Sequence, residues 1–144
     1  MKLNNITKVH WSFWFISLFG LLWNLGGCIN YIMQMNLEFV ATLPESHQAI
    51  IIDRPLWATV GFALGVFAGV IGGLLLMFRN SLAKHSFMVS LIGIITTMVH
   101  TVNVARSKVD FSSGEIIIMI ILPIMVAMLL LWYSNIIINK QLLS

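Results

Sequence analysis

Four long runs of this sequence, 11–37, 55–78, 85–105 and 116–139, contain no Asp, Glu, Lys or Arg. Each exceeds the roughly 20 residues that a helix needs to cross about 30 Å of hydrocarbon. The most apolar stretch, "EIIIMIILPIMVAMLLLWY", is too long for a barrel strand and does not alternate as one must. Within lipid a helix satisfies its own backbone groups, so all four runs are expected to be helical. Composition agrees, because 59% of the 144 residues are hydrophobic and only 9% are charged. A soluble domain carries roughly 25% charged residues, and this chain has too few polar groups to cover a water-facing surface. The expected architecture is all-α, an integral membrane four-helix bundle forming a single transmembrane domain over 1–144. Its helices are predicted at about 11–36, 55–78, 85–105 and 115–138.

Charge at the helix ends predicts an orientation. With the N-terminus inside, the cytoplasmic parts hold Lys2, Lys8, Arg79, Lys84 and Lys140. The outer loops then hold Arg54, Arg106 and Lys108, together with Glu38, Glu45, Asp53, Asp110 and Glu115. The excess of Lys and Arg on the first side favours an N-in, C-in arrangement. Trp11, Trp14, Trp132 and Tyr133 fall at the inner headgroup level of that arrangement, and Trp57 at the outer one. The first apolar run greatly exceeds the roughly 7–15 residues of a cleavable signal core, so the first helix is expected to be retained.

The connections differ in kind. The short link at 80–84 makes the second and third helices antiparallel neighbours. The first loop is longer and contains "TLPESHQAIII", with Thr42 placed as an N-cap, Glu45 three residues on and Pro44 in the first turn. That pattern predicts a short amphipathic helix over about 43–52, lying across the outer mouth of the bundle. In the third loop, Ser112 and Glu115 repeat the capping-box spacing ahead of the last helix.

Several functions are excluded by what is missing. A net charge of +3 comes from eight Lys and Arg spread along the chain, with no basic patch and no nucleic-acid partner implied. The single cysteine, Cys28, rules out an internal disulfide and a multi-cysteine metal or iron–sulfur centre. His10, His47, His85 and His100 lack metal-ligand spacing, and a bis-His haem needs a second intramembrane histidine beside His100. No phosphate-cradling loop and no intramembrane carboxylate for proton relay is present. No enzyme activity, cofactor or metal is therefore expected.

The polar residues inside the spans are the candidates for chemistry. Asn24 falls near the middle of the first helix, where an unpaired amide costs on the order of several kcal/mol, so it must face protein or water. Asn30, Tyr31 and Gln34 follow it toward the outer surface. On the third helix Thr96, His100 and Asn103 follow i, i+4, i+7 spacing and share one face at matching depth. These seven residues predict a polar, outward-facing recess beneath the loop helix, with Asn24 and Thr96 at its floor. The competing reading is that Asn24 and its neighbours serve as interhelical hydrogen-bonding glue. Gly61, Gly65 and Gly69 form a small-residue stripe on the second helix, suited to packing within the chain, to a homodimer seam or to a pore lining. Pro123 removes one backbone donor from the last helix and predicts a kink there.

The stretches "FWFISLFGLLWNLGGCINY", "LPESHQA", "PLWATVGFALGVFAGVIGGLLLMFR", "SLIGI" and "ILPIMVAMLLLWYS" carry a resemblance. The chain resembles a family of small bacterial four-span inner-membrane proteins commonly labelled "sugar transporter". That resemblance implies a multi-pass protein of the bacterial inner membrane that transports or binds a small polar solute such as a sugar. It assigns no binding residue to this sequence. The alternative expectation is a non-catalytic accessory subunit or assembly factor of a larger membrane complex. The expected partners are the lipid bilayer and either a second copy of the chain or a larger membrane complex.

Overall fold

The computed structural model describes residues 9–140, so Lys2 and Lys8, two of the orienting cations, lie outside the described residues. Within that range the chain is helical, in the order α1 (Trp11–Met33), α2 (Leu37–Ala41), α3 (Glu45–Ile52), α4 (Leu56–Met77), α5 (Ala83–Ser107) and α6 (Ser113–Asn139). Helices α1, α4, α5 and α6 are each long and apolar enough to cross a membrane. Their outward faces carry residues such as Phe15, Ile29, Leu64, Ile92, Leu129 and Trp132, all exposed. An apolar surface this continuous is what a lipid solvent requires and water does not tolerate.

Local chemistry explains where the helices start. The His10 ring caps α1 by accepting from the Ser12 N–H. Ser112 and Glu115 form the predicted reciprocal capping box at the start of α6. The first loop departs from expectation, because it holds two helices instead of one spanning 43–52. Asn36 accepts from the Glu38 and Phe39 N–H groups and so starts α2 well before Thr42. Thr42 does not cap α3; its hydroxyl donates to the Phe39 carbonyl at 2.7 Å, closing α2. Pro44 then occupies the N-cap position of α3 without a side-chain bond, and the restriction it places on Leu43 separates the two helices.

Pro123 lies just after a π-helical turn at Ile117–Ile121 within α6. Leu122 N–H reaches back five residues to the Ile117 carbonyl. A widened turn of this kind accommodates a proline ring that would otherwise press on the preceding turn.

Helix α4 sits between α1 and α5, and α6 completes the bundle against α5. The α4–α5 interface is built on glycine. A Cβ at Gly93 would lie 2.5 Å from the Gly65 nitrogen and 2.6 Å from the Gly61 oxygen, so the two backbones nearly touch. Gly69 instead faces Asn24 of α1. The glycine stripe is thus used for packing inside the chain, split between two partners. Toward the end that carries the tight α4–α5 connection (the hairpin end), Phe13, Leu76, Ala83, Phe87, Val126, Leu130 and Ile137 form one hydrophobic core. Toward the opposite end, where α2 and α3 lie (the loop end), the bundle opens around a cavity.

Candidate functional site

The loop-end cavity is a part-open recess of about 550 Å³ bounded by all four long helices, with α3 and Arg54 across the top. That volume is within the usual range for small-molecule sites. Its depth follows from residue size. Leu130 meets the backbone of α1 at Gly20 and closes the lower end. Above that contact Gly26 and Gly27 place no side chain in the space, and a Cβ at Gly26 would meet nothing within 4 Å. Val66, Ile94, Met98, Ile118 and Val126 supply an apolar wall on the other three helices.

Polar groups gather on one side and at the top. Asn24, Asn30 and Gln34 of α1 line the cavity, as the sequence predicts. Asn24 is buried, and its Nδ2 donates to the Gly20 carbonyl at 2.8 Å. Its oxygen lies against Gly69, so the amide hydrogen-bonds within α1 and meets α4 by close packing. Gln34 is shared, donating to Asn30 Oδ1 at 3.3 Å and accepting from Arg54 Nη1 at 2.8 Å. Arg54 Nε also donates to Thr59 Oγ1 at 3.3 Å, and the guanidinium stands 5.3 Å from the Phe62 ring centroid. Burial lowers the Arg54 pKa, a shift the Tyr31 hydroxyl opposes; an arginine remains a cation regardless.

The other four predicted residues lie elsewhere. The Tyr31 ring packs edge-on against Phe62 and Phe67. Thr96 donates to the Ile92 carbonyl at 2.8 Å and packs its side chain over Gly61. His100 is buried, with Nε2 hydrogen-bonded to the Ile50 carbonyl at 3.0 Å and its ring edge-on to Trp57. Asn103 is exposed, and its backbone carbonyl accepts from Ser107. In their place α5 contributes Ser90, Thr97 and Thr101. Each helix position advances about 100°, so Thr97 and Thr101 lie one step round from Thr96 and His100. The glycine contact between α4 and α5 turns the Thr96 face into the helix interface and leaves the Thr97 face for the cavity.

His100 has a definite task even so. Helix α3 is held over the cavity by His100 at Ile50 and by Ser46, whose hydroxyl donates to Glu115. A third tie lies at its end, where Lys108 pairs with Asp53 at 2.9 Å. Lys108 holds the exposed Asp53 carboxyl below the usual carboxylate range by its hydrogen bond and its charge. Three contacts from two different helices thus fix the roof. His47 of α3 also faces the cavity. His47 and Arg54 were not among the site residues read from the sequence, because both lie outside the four apolar runs, His47 in the short helix α3 and Arg54 just before α4. The signal available was an arginine directly ahead of a membrane-length helix with an apolar residue on nearly every side.

Among the described residues no group of His, Cys, Asp and Glu is placed to hold a metal ion. The cavity offers hydrogen bonding, one fixed positive charge and a dry wall, which is equipment for binding. No family model, curated protein or solved structure matches the chain.

Proposed function

We propose that this chain is a multi-pass protein of the bacterial inner membrane, with both termini in the cytoplasm, that binds a small solute bearing polar groups and serves its passage across the bilayer. One observation carries the reading: a cavity of about 550 Å³ lies inside the bundle and is roofed by a helix tied down at three points. A scaffold whose only task is to hold partners has no need of an internal space of that size, since packed interiors leave few voids larger than a water molecule. The polar edge formed by Asn30, Gln34 and Arg54 gives a solute its orientation. The compact core at the hairpin end closes the route on the other side, and passage requires that core to part.

The test is uptake into proteoliposomes of a panel of hexoses, amino acids and short carboxylates. At least one solute is expected to enter faster than in protein-free vesicles, and Gly26→Trp, at a lining position where a Cβ meets nothing within 4 Å, is expected to abolish that gain. Rates matching protein-free vesicles throughout, with partner chains co-purifying in mild detergent, would overturn the reading in favour of the accessory role.

A further inference from the structure

The Arg54 side chain is unusual among the cations of this protein. It lies at the boundary of the apolar span, half-buried, and points into the cavity. It donates to the neutral oxygens of Gln34 and Thr59. The adjacent carboxylate, Asp53, is engaged by Lys108 instead. A guanidinium has five N–H donors, and these bonds leave several of them unused. A half-buried cation with donors to spare, facing a largely apolar space, has an anion as its natural complement.

The surroundings narrow the class of that anion. Gln34, Asn30 and His47 stand near Arg54 at the top of the cavity. Below them the lining is mainly aliphatic, with Val66, Ile94, Met98 and Val126 beside the hydroxyls of Thr97 and Thr101, and the space continues down to Leu130. A polyol such as a sugar needs donors and acceptors on every side, whereas the α4 and α6 walls here, with Phe62, Val66, Ile118 and Val126, are apolar. A planar oxyanion matches the fork of an arginine, and an apolar chain matches the wall beneath it.

We propose that the cavity binds an anionic amphiphile, with its carboxylate or phosphate head held by Arg54 and Gln34 and a single apolar tail lying between α1 and α6. The inference rests on the cavity-binding reading given above and deepens it. Two sources supply that chemistry, a lipid of the surrounding bilayer and a free acid taken from water, and they are separable by experiment. Gln34 orients the guanidinium, Phe62 supports it from one face, and α3 holds the roof over the head group.

The experiment uses the purified full-length protein in an uncharged detergent, titrated with octanoate and with octanol, which differ only in the head group. Binding is followed by native mass spectrometry and by thermal shift. The wild-type chain is expected to bind octanoate about tenfold or more tightly than octanol, the scale of one charge-assisted hydrogen-bonded pair. Arg54→Gln is expected to reduce that ratio to about one while octanol binding persists, and Arg54→Lys to retain part of the preference. Gly26→Trp is expected to abolish both. Equal binding of the two ligands by the wild type, or a preference unchanged in Arg54→Gln, overturns the anion assignment alone. Binding of neither overturns the cavity reading and the assignment with it. A second arm places the protein in phosphatidylcholine nanodiscs containing some phosphatidylglycerol. Selective retention of phosphatidylglycerol, lost in Arg54→Gln, identifies a bilayer lipid as the occupant; octanoate preference without such retention identifies a free acid.

Discussion

The two ends of this bundle are built from the same four helices and are filled differently. At the hairpin end Phe13, Leu76 and Phe87 are fully buried against one another and close the interior. At the loop end, Gly26 on α1 leaves space that no side chain fills, Gly27 lets Val66 of α4 pack close, and polar atoms gather under α3. Mean apolar character does not separate the two halves. What separates them is the size of the side chains that meet between the helices: the Phe87 ring covers Gly72 at the hairpin end, whereas no side chain fills the space beside Gly26 at the loop end. One end therefore holds the molecule together, and the other is free to bind.

The largest effect that would sharpen this contrast is expected from Phe87→Ala. Phe87 is buried at the hairpin end and packs on Gly72, and deleting a ring at such a site costs about 3–5 kcal/mol. Thermal unfolding in detergent should show it, whereas Val66→Ala on the cavity wall should cost clearly less because space already lies beside it. Similar losses at both positions would erase the distinction between a packed and a hollow end.

A second test compares two glycines. Gly93→Ala places a methyl group 2.5 Å from the Gly65 nitrogen, where neither backbone can yield, and is expected to cost about 1–3 kcal/mol. Gly26→Ala meets nothing within 4 Å and is expected to be neutral or to stabilise by up to about 1 kcal/mol through helix propensity. Denaturation midpoints of the pair decide the matter, and a destabilised Gly26→Ala would mean that the cavity is filled in solution.

The smallest effect concerns the roof. His100→Leu leaves the Ile50 carbonyl without its side-chain partner, at a cost of about 1–2 kcal/mol. Its signature is local: amide exchange should rise across α3 while α4 and α5 keep their protection. Uniform loss of protection would show that His100 supports the bundle as a whole.

How much of this was legible in advance varied with the physics behind each feature. The four membrane-length helices follow from long charge-free runs, a property of the chain itself, and the Ser112–Glu115 box follows from four adjacent residues. In the first loop the helix at Glu45–Ile52 was legible from Pro44 and Glu45, whereas the five-residue α2 ahead of it was not, because a helix so short rests on the single cap at Asn36. At the site, Asn24, Asn30 and Gln34 were legible because an amide in lipid must find protein or water. Thr96, His100 and Asn103 share a face in the sequence, as do Thr97 and Thr101, and no local rule chooses between adjacent faces. Arg54 escaped because the short link between α3 and α4 carries no periodicity from which to read a direction, and His47 because the rotation of α3 over the bundle is a tertiary matter.

The amino-acid order alone thus determined the solvent, the number of spans and the polar stripe of α1, since each depends on transfer free energies and spacings along one helix. Which face of α5 lines the cavity, which glycines meet which helix and where the guanidinium of Arg54 comes to rest were decided only by tertiary structure. Those depend on the rotation of each helix about its own axis, and that rotation is set by close contacts such as Gly61 with Gly93, made between residues far apart in the chain.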